Sequence, residues 1–562
     1  MVEISQFLAL ILLIALVSVS FLYVSSKWRY AIMAGIFMVM GYLTYWNWTA
    51  EELGSFSIFP PGEVFIAFSF WGDPYSRIMV FGFTLMGILA LLYGIKGAKA
   101  IEQMVAVWAL VCAMGVSFAN DFITLVLFWE LLTLTTAWLI FLNNTREAFF
   151  MAYRFLYFHL TGGLLILAGI VQHCVATGST VLTEPEVGLP FFVLGVGFKA
   201  AFIPFHLWVA WGYPAASLFS SVLLAGLTTK IGVYGVARIL PSHEGIVLMG
   251  GIMSLVGVGC ALAQKNMRKL LSYHIVSQIG YMIAGVGLGS TLAVDGGFFH
   301  LLNNVMYKSL LFMAAGAVFY CTGSEDLHDL PHHEEEEEGE KGGGAPSPLW
   351  KAMPLVTIGA VVGAMSIAGA PLFNGYVSKY MLKEAMYGAG PAEWMLLLAS
   401  VGTTISFCKF VYFGFFKARA PLKKLPQLPM QLSILGVSFL CLLLGIRPGL
   451  ISEVLPYGSM LEVYSWSGVY SGLQPVVAGV IIFALMAKPL YRGLPIPSWF
   501  CIEALLSPVI DAVTSRVQLV FGRLLEVADR NRKNINVDQL LLGTVMIIVL
   551  IMLFYFGVFR GF

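Results

Sequence analysis

Apolar runs of eighteen or more residues recur along almost the whole of this 562-residue chain. Nothing else in it restricts the fold as strongly. A run of about 20 apolar residues makes a helix that spans the hydrocarbon core of a bilayer. Such a helix closes its own backbone hydrogen bonds, which lipid cannot do for it. Only 11% of the residues are Asp, Glu, Lys or Arg and 59% are hydrophobic, where a soluble domain is about a quarter charged. The chain reads as an all-α polytopic membrane protein.

Sixteen candidate spans lie near 5–25, 31–49, 74–94, 103–120, 122–142, 150–172, 188–208, 213–239, 244–264, 272–290, 296–320, 353–380, 391–415, 430–447, 473–489 and 540–558. Polar or small residues interrupt the pattern in the eleventh and twelfth. Loop charges check the count, because short loops rich in Lys and Arg stay on the cytoplasmic side. Lys27, Arg29, Lys96, Lys99, Arg146, Lys265, Arg268, Lys269, Lys417, Arg419, Lys423 and Lys424 all follow odd-numbered spans. That agreement supports the count through the fourteenth span, for a total of about 14–16. It puts the N-terminus outside a cell inner (cytoplasmic) membrane. The first run, residues 6–24, lacks a basic flank and a cleavage site, so it reads as a membrane helix and not a signal peptide.

The formal net charge is +1, with no basic tail or patch for nucleic acid. Seven cysteines include no C-x-x-C pair, and Cys112, Cys174, Cys260 and Cys408 sit in apolar runs as small core residues. No metal site or cofactor is expected.

Two segments break the pattern. Residues 327–348 hold five consecutive glutamates at 334–338 and several glycines, which fits a disordered cytoplasmic loop. His332 and His333 beside them fit either a stray metal or a solvated insert. In 503–534, Val509, Val513, Val517, Val520, Leu524 and Val527 recur at helix spacing among charges, as in an amphipathic helix.

The informative residues are ionisable groups inside spans, each costing at least ~2.5 kcal/mol to insert. Glu130 lies mid-span in FITLVLFWELLTLTTAWLIFL, where it fits either a proton-carrying group or a structural ion pair. Lys199 precedes Pro204 by five residues, and proline breaks helices. Broken helices are common at transport sites. His206 lies seven residues beyond Lys199, near the same helical face. Lys230 follows Ser220, Ser221, Thr228 and Thr229, a row of hydroxyls that fits helix packing or a wet path. Span ten carries His274, Ser277 and Gln278. His300, Asn304 and Lys308 fall at i, i+4 and i+8, along one stripe. Lys379 follows a Pro, Gly and Asn cluster, whereas Lys409, near a helix end, can snorkel. Burial draws such titrations toward physiological pH, and Asn, Ser and Thr can order water between them.

The pieces FWELLTL, FKAAFIPFHLW, TTKIGVYGVAR, LLSYHIVSQIGY, HLLNNVMYKSLLFMAAG and SIAGAPLFNGYVSKY occur in that order. In them the chain resembles the antiporter-like subunits shared by respiratory NADH–quinone oxidoreductase and Mrp-type multisubunit Na⁺/H⁺ antiporters, and among these the D-type members. The resemblance is strongest from about residue 100 to 415. It implies two inverted five-helix repeats, spans four to eight and nine to thirteen, with discontinuous helices at spans seven and twelve. The corresponding division is 1–100 for N-terminal helices, 101–240 and 241–415 for two half-channels, the second with an acidic loop at 325–348, and 416–562 for C-terminal helices. It also implies that Glu130 pairs with Lys199, that Lys230 links the first half-channel to the centre, and that His300, Lys308 and Lys379 carry the route onward. The chain departs from that pattern at Asn304, where a second histidine is frequent, and at His274, where a small hydroxyl residue is common. His274 then reads as a compensating protonatable group or as packing. The 503–534 helix resembles a shortened lateral helix, and the acidic run has no counterpart.

The resulting expectation is a proton-translocating protein with other integral membrane subunits as partners and no redox site of its own. The alternatives are a Na⁺/H⁺ antiporter component, with Glu130, Asp121 and carbonyls at a broken helix holding sodium, a part of a membrane hydrogenase or inorganic-carbon uptake complex, or a structural scaffold.

Overall fold

The computed structural model describes residues 6–49, 52–57, 67–327 and 347–492. Almost all of them belong to one compact unit, residues 1–56 and 68–495. The acidic run at 334–338 with His332 and His333, the 503–534 helix and the span near 540–558 lie outside the described residues.

The described helices are α1 (Gln6–Val19), α2 (Ser26–Thr49), α3 (Pro74–Gly94), α4 (Ala100–Ser117), α5 (Phe122–Phe141), α6 (Arg146–Thr177), α7 (Leu189–Lys199), α8 (Leu207–Ala215), α9 (Leu218–Ile239), α10 (Glu244–Ala263), α11 (Met267–Leu288), α12 (Thr291–Thr322), α13 (Leu349–Ala352), α14 (Pro354–Ala368), α15 (Asn374–Ala385), α16 (Pro391–Val411), α17 (Leu428–Ile446) and α18 (Trp466–Arg492). A two-stranded sheet, Glu52–Ser57 with Ala67–Trp71, joins α2 to α3 and has no counterpart in the sequence expectation. Ten described helices are long and apolar enough to cross a membrane. The chain is a multi-pass integral membrane protein.

Local chemistry sets the helix ends. Asp73 caps α3 through Ser76 N, Asp121 caps α5 through Thr124 N, and Ser290 caps α12 through Ala293 N. Each side chain satisfies a backbone donor that the first turn leaves free.

Two expected spans are split. α7 stops at Lys199 and the chain resumes as α8 at Leu207, with Ala201 in the left-handed region at φ 59° and a cis Ile203–Pro204 bond between them. α14 stops at Ala368, where Gly369 takes φ 84° and its N–H reaches Met365 O and Ser366 O. α15 begins at Asn374. In span eleven, by contrast, polar residues interrupt the apolar pattern but not the helix. α12 runs unbroken for 32 residues. It packs against α3, α9, α11, α14, α15 and α17. Its polar side chains therefore meet protein and not lipid, and the backbone has no reason to open.

α11 is as long as a span but too polar to count among the ten. It is held on α10 by close backbone approach. A Cβ on Gly280 would meet Gly250 O and Ser254 N. Ser277 Oγ donates to Ser254 O at 2.9 Å, and Ser254 Oγ donates to Ser277 O at 3.1 Å. Small residues at a helix interface permit this contact. Ser277 is thus a packing residue. At the start of the acidic loop, Glu325 pairs with Arg268, whose Nη1 also donates to Ala216 O at 2.9 Å.

Candidate functional site

Lys199 closes α7 and reaches Glu130 on α5, with Nζ–Oε1 2.7 Å and side chains 1% and 3% exposed. Nζ also donates to Thr133 Oγ1 at 3.2 Å and lies 5.2 Å from the Trp129 ring centroid. The expected pair is in contact. No other donor among the described residues reaches the Glu130 carboxylate. The carboxylate therefore depends on Lys199 alone, whereas the ammonium is also held by Thr133 and Trp129. On α6, one turn before Gly163, where an added Cβ would meet the Glu130 carboxylate, His159 is buried with both ring nitrogens unpartnered.

His206 does not join this pair. The expectation of a shared face assumed a continuous helix, and the break at 200–206 removes that phase. His206 sits at the start of α8, with its ring 6.4 Å from that of Tyr273. Asp121 does not join it either. Glu130 lies nine positions further along, about 13.5 Å up the helix that Asp121 caps. Its carboxylate is taken by Ser69 N at 2.8 Å, Ser69 Oγ at 2.8 Å, Thr124 N at 2.7 Å and Thr124 Oγ1 at 2.6 Å. A shared Glu130–Asp121 sodium site is not formed.

The remaining buried lysines pair with main-chain carbonyls. Lys230 donates to Ala225 O at 2.6 Å and lies 3.4 Å from Thr229 Oγ1. Lys308 donates to Leu271 O at 3.0 Å, with Nζ 5.5 Å from the Phe407 centroid. Lys379 donates to Ile367 O at 2.7 Å and lies 3.4 Å from Ala368 O. The carbonyls of Ile367 and Ala368 are freed by the end of α14, and a helix C-terminus favours a cation. The break thus makes a lysine site without an acid. Lys409 does the same at the end of α10, with Leu262 O and Gln264 O each at 2.9 Å. It is 1% exposed, so it caps a helix and does not snorkel.

The stripe on α12 is buried throughout, with His300, Asn304 and Lys308 each 0% exposed. His300 Nδ1 lies 3.0 Å from Ser378 Oγ on α15, and Nε2 lies 3.1 Å from Gln278 Oε1 on α11. Tyr307 OH stands 3.2 Å from the same Nε2 and accepts Asn304 Nδ2–H at 3.1 Å. Asn303 Nδ2 donates to Asn374 O at 2.9 Å and to Ser378 Oγ at 3.1 Å. Tyr281 lies between His300, at 5.6 Å, and the Lys379 ammonium, at 5.3 Å, measured to its ring centroid. His274 leaves both ring nitrogens unpartnered and packs 4.7 Å from Phe407, the ring that Lys308 also faces.

His300, Gln278 and Asn304 are thus joined, and Tyr307, Asn303 and Ser378 complete the cluster. Among the described residues, no direct hydrogen bond links Lys199 to Lys230, Lys230 to Lys308, or Lys308 to Asn304. Tyr307 and Ser378 carried no signal in the sequence, where a tyrosine or serine in an apolar run is ordinary. His159 had one, as a histidine inside a span.

Residues 119–406 match a family described as "NADH:quinone oxidoreductase/Mrp antiporter, TM". The chain belongs to this family. Within the NADH:quinone oxidoreductase/Mrp antiporter family, an uncharacterized protein of Methanocaldococcus jannaschii is 28% identical over 68% of this chain and 82% of its own length. A Na⁺/H⁺ antiporter subunit of Alkalihalophilus pseudofirmus is 26% identical over 75% of this chain, which spans 60% of that protein. In fold, the chain is similar to a chain of the Mrp complex from Dietzia sp. DQ12-45-1b, with TM-score 0.71 and 21% identity over 85% of this chain and 99% of that one.

Proposed function

We propose that this chain is a proton-translocating, antiporter-like subunit that works beside other integral membrane subunits in an inner (cytoplasmic) membrane complex. The observation that carries the reading is the buried Glu130–Lys199 pair at the break after α7. It is followed by three lysines held only by carbonyls and hydroxyls, with the His300 cluster among them. Ionisable groups inside spans mark ion pathways, because each costs free energy to bury.

In this reading the two inverted repeats are α4–α9 and α10–α16, each with one broken helix. Opening of the Glu130–Lys199 pair lets Lys199 give or take a proton. The altered field biases Lys230, then Lys308 with the His300 cluster, then Lys379. Asn304 does not titrate, so its step needs ordered water. The direction of the cycle follows from the partner that drives it.

The test uses the purified complex in sealed vesicles. Lys379→Ala is expected to abolish proton movement while all subunits are retained. Normal flux in that variant would sink the relay and favour the scaffold reading. The similarity to a Na⁺/H⁺ antiporter protein favours a second reading, in which the complex exchanges Na⁺ for H⁺. A Na⁺ gradient that drives proton flux in the same vesicles would support it.

A further inference from the structure

His159 has no place in the relay above, yet its imidazole is buried without a partner on the helix whose glycines face Glu130 and Lys199. Both ring nitrogens lack a partner, and the residue is 2% exposed. Leaving a buried polar group unpaired is costly, so such a group normally has a partner in some state. Packing alone holds the ring. It stacks on Phe155, with centroids 4.2 Å apart and planes 26° apart, and lies 4.4 Å from Trp208. Trp208 donates Nε1–H to Phe198 O at 3.0 Å. The imidazole is therefore fixed relative to the end of α7, where Lys199 follows Phe198.

On α6, Gly162 and Gly163 lie three and four residues beyond His159, on the same helical face. A Cβ on Gly163 would run into the Glu130 carboxylate, and one on Gly162 would crowd Lys199 Cγ. The two glycines leave a groove in which the lysine stem and the carboxylate lie, and His159 stands one turn along it. A turn advances about 5.4 Å, a distance that the flexible four-carbon stem of lysine covers by changing rotamer. α5, α7 and α8 are packed on α6. From them Glu130 and Lys199 face this groove, while His206 on the α8 side lies against Tyr273.

We propose that His159 is a second seat for the Lys199 ammonium. When the ion pair with Glu130 opens, an unprotonated imidazole nitrogen accepts the N–H that the carboxylate releases. Lys199 then has two defined positions along one groove. This inference rests on the proton-translocation reading, because it gives the opened pair a place to go.

The experiment compares His159→Phe, His159→Gln and Lys199→Ala in the purified complex, with flux measured in vesicles and subunit content checked. His159→Phe is expected to lower flux roughly tenfold or more, the factor that a hydrogen bond to a charged group carries. His159→Gln keeps an acceptor oxygen and should stay close to wild type. Equal flux in the Phe and Gln variants, whether normal or impaired, overturns the proposal. Full flux in Lys199→Ala overturns the translocation reading itself, whereas a dead Lys199→Ala beside a normal His159→Phe overturns only the role of His159. A readout independent of flux covers variants that fail to assemble. The ¹⁵N resonances of His159 should shift between wild type and Glu130→Gln, where the lysine has lost its acid. Unshifted resonances overturn the proposal.

Discussion

Tyr307 places its hydroxyl 3.2 Å from Nε2 of His300, and the same oxygen accepts the Asn304 amide and lies 3.3 Å from Gln278 Oε1. A single group thus joins two members of the α12 stripe. Tyr307→Phe removes it and keeps the ring. Proton flux in vesicles is expected to fall roughly tenfold. Asn304→Ala, which removes one donor to that oxygen, should slow flux by less. Wild-type flux in Tyr307→Phe would move the path away from this cluster.

Glu130 and Lys199 should behave as a unit. Removing one partner of a buried pair leaves an uncompensated charge, at a cost of about 3–5 kcal/mol. Glu130→Gln should therefore lower both thermal stability and flux. Glu130→Gln combined with Lys199→Met should recover much of the stability and none of the flux. A double variant that melts no higher than either single one would argue against the pair as the source of the loss.

Gly163→Ala tests the groove from the other side. The added methyl would collide with the Glu130 carboxylate, and overpacking of this kind typically costs about 1–3 kcal/mol. The expected outcome is a lower melting temperature with a flux defect resembling that of Glu130→Gln. The same substitution at Gly245, where a Cβ meets nothing within 4 Å, is the control and should leave flux unchanged.

Lys379→Arg separates holding a helix end from carrying a proton. Arginine can still donate to Ile367 O, but it does not deprotonate in proteins. The Arg variant should assemble and melt close to wild type yet lose flux as completely as Lys379→Ala. Flux in the Arg variant would mean that Lys379 acts as a fixed charge.

Much of this architecture was legible in the residues themselves. Apolar runs placed the helices, because a helix closes its backbone hydrogen bonds within one continuous apolar segment. Pro204 and the Gly-Pro-Asn cluster before Lys379 marked both breaks, since each disrupts the helical hydrogen-bond ladder. Glu130 and Lys199 stood out by their charge. The pairings were not legible. Ser378 meets His300 across 78 residues of chain, and that neighbourhood exists only once α12 and α15 pack. His206 misled because helical phase was carried across a break. Asp121 misled because its acid serves as an α5 cap. α12 stays continuous through its polar residues, as one span at 296–320 requires, because burial in protein excuses polar residues that lipid would not.

The anchor of Lys379 is a carbonyl and not a side chain, and this changes what natural variation can reveal. Every residue type supplies the same oxygen at position 367, so substitution there erases nothing from the contact. Glu130 is different, because its side chain is itself the contact. A survey of tolerated mutations would therefore mark the partner of the first lysine sharply and leave the partner of the last one invisible. The trace of that second site would instead be the path of the chain around Gly369, where insertions and deletions, more than exchanges, would remove the contact.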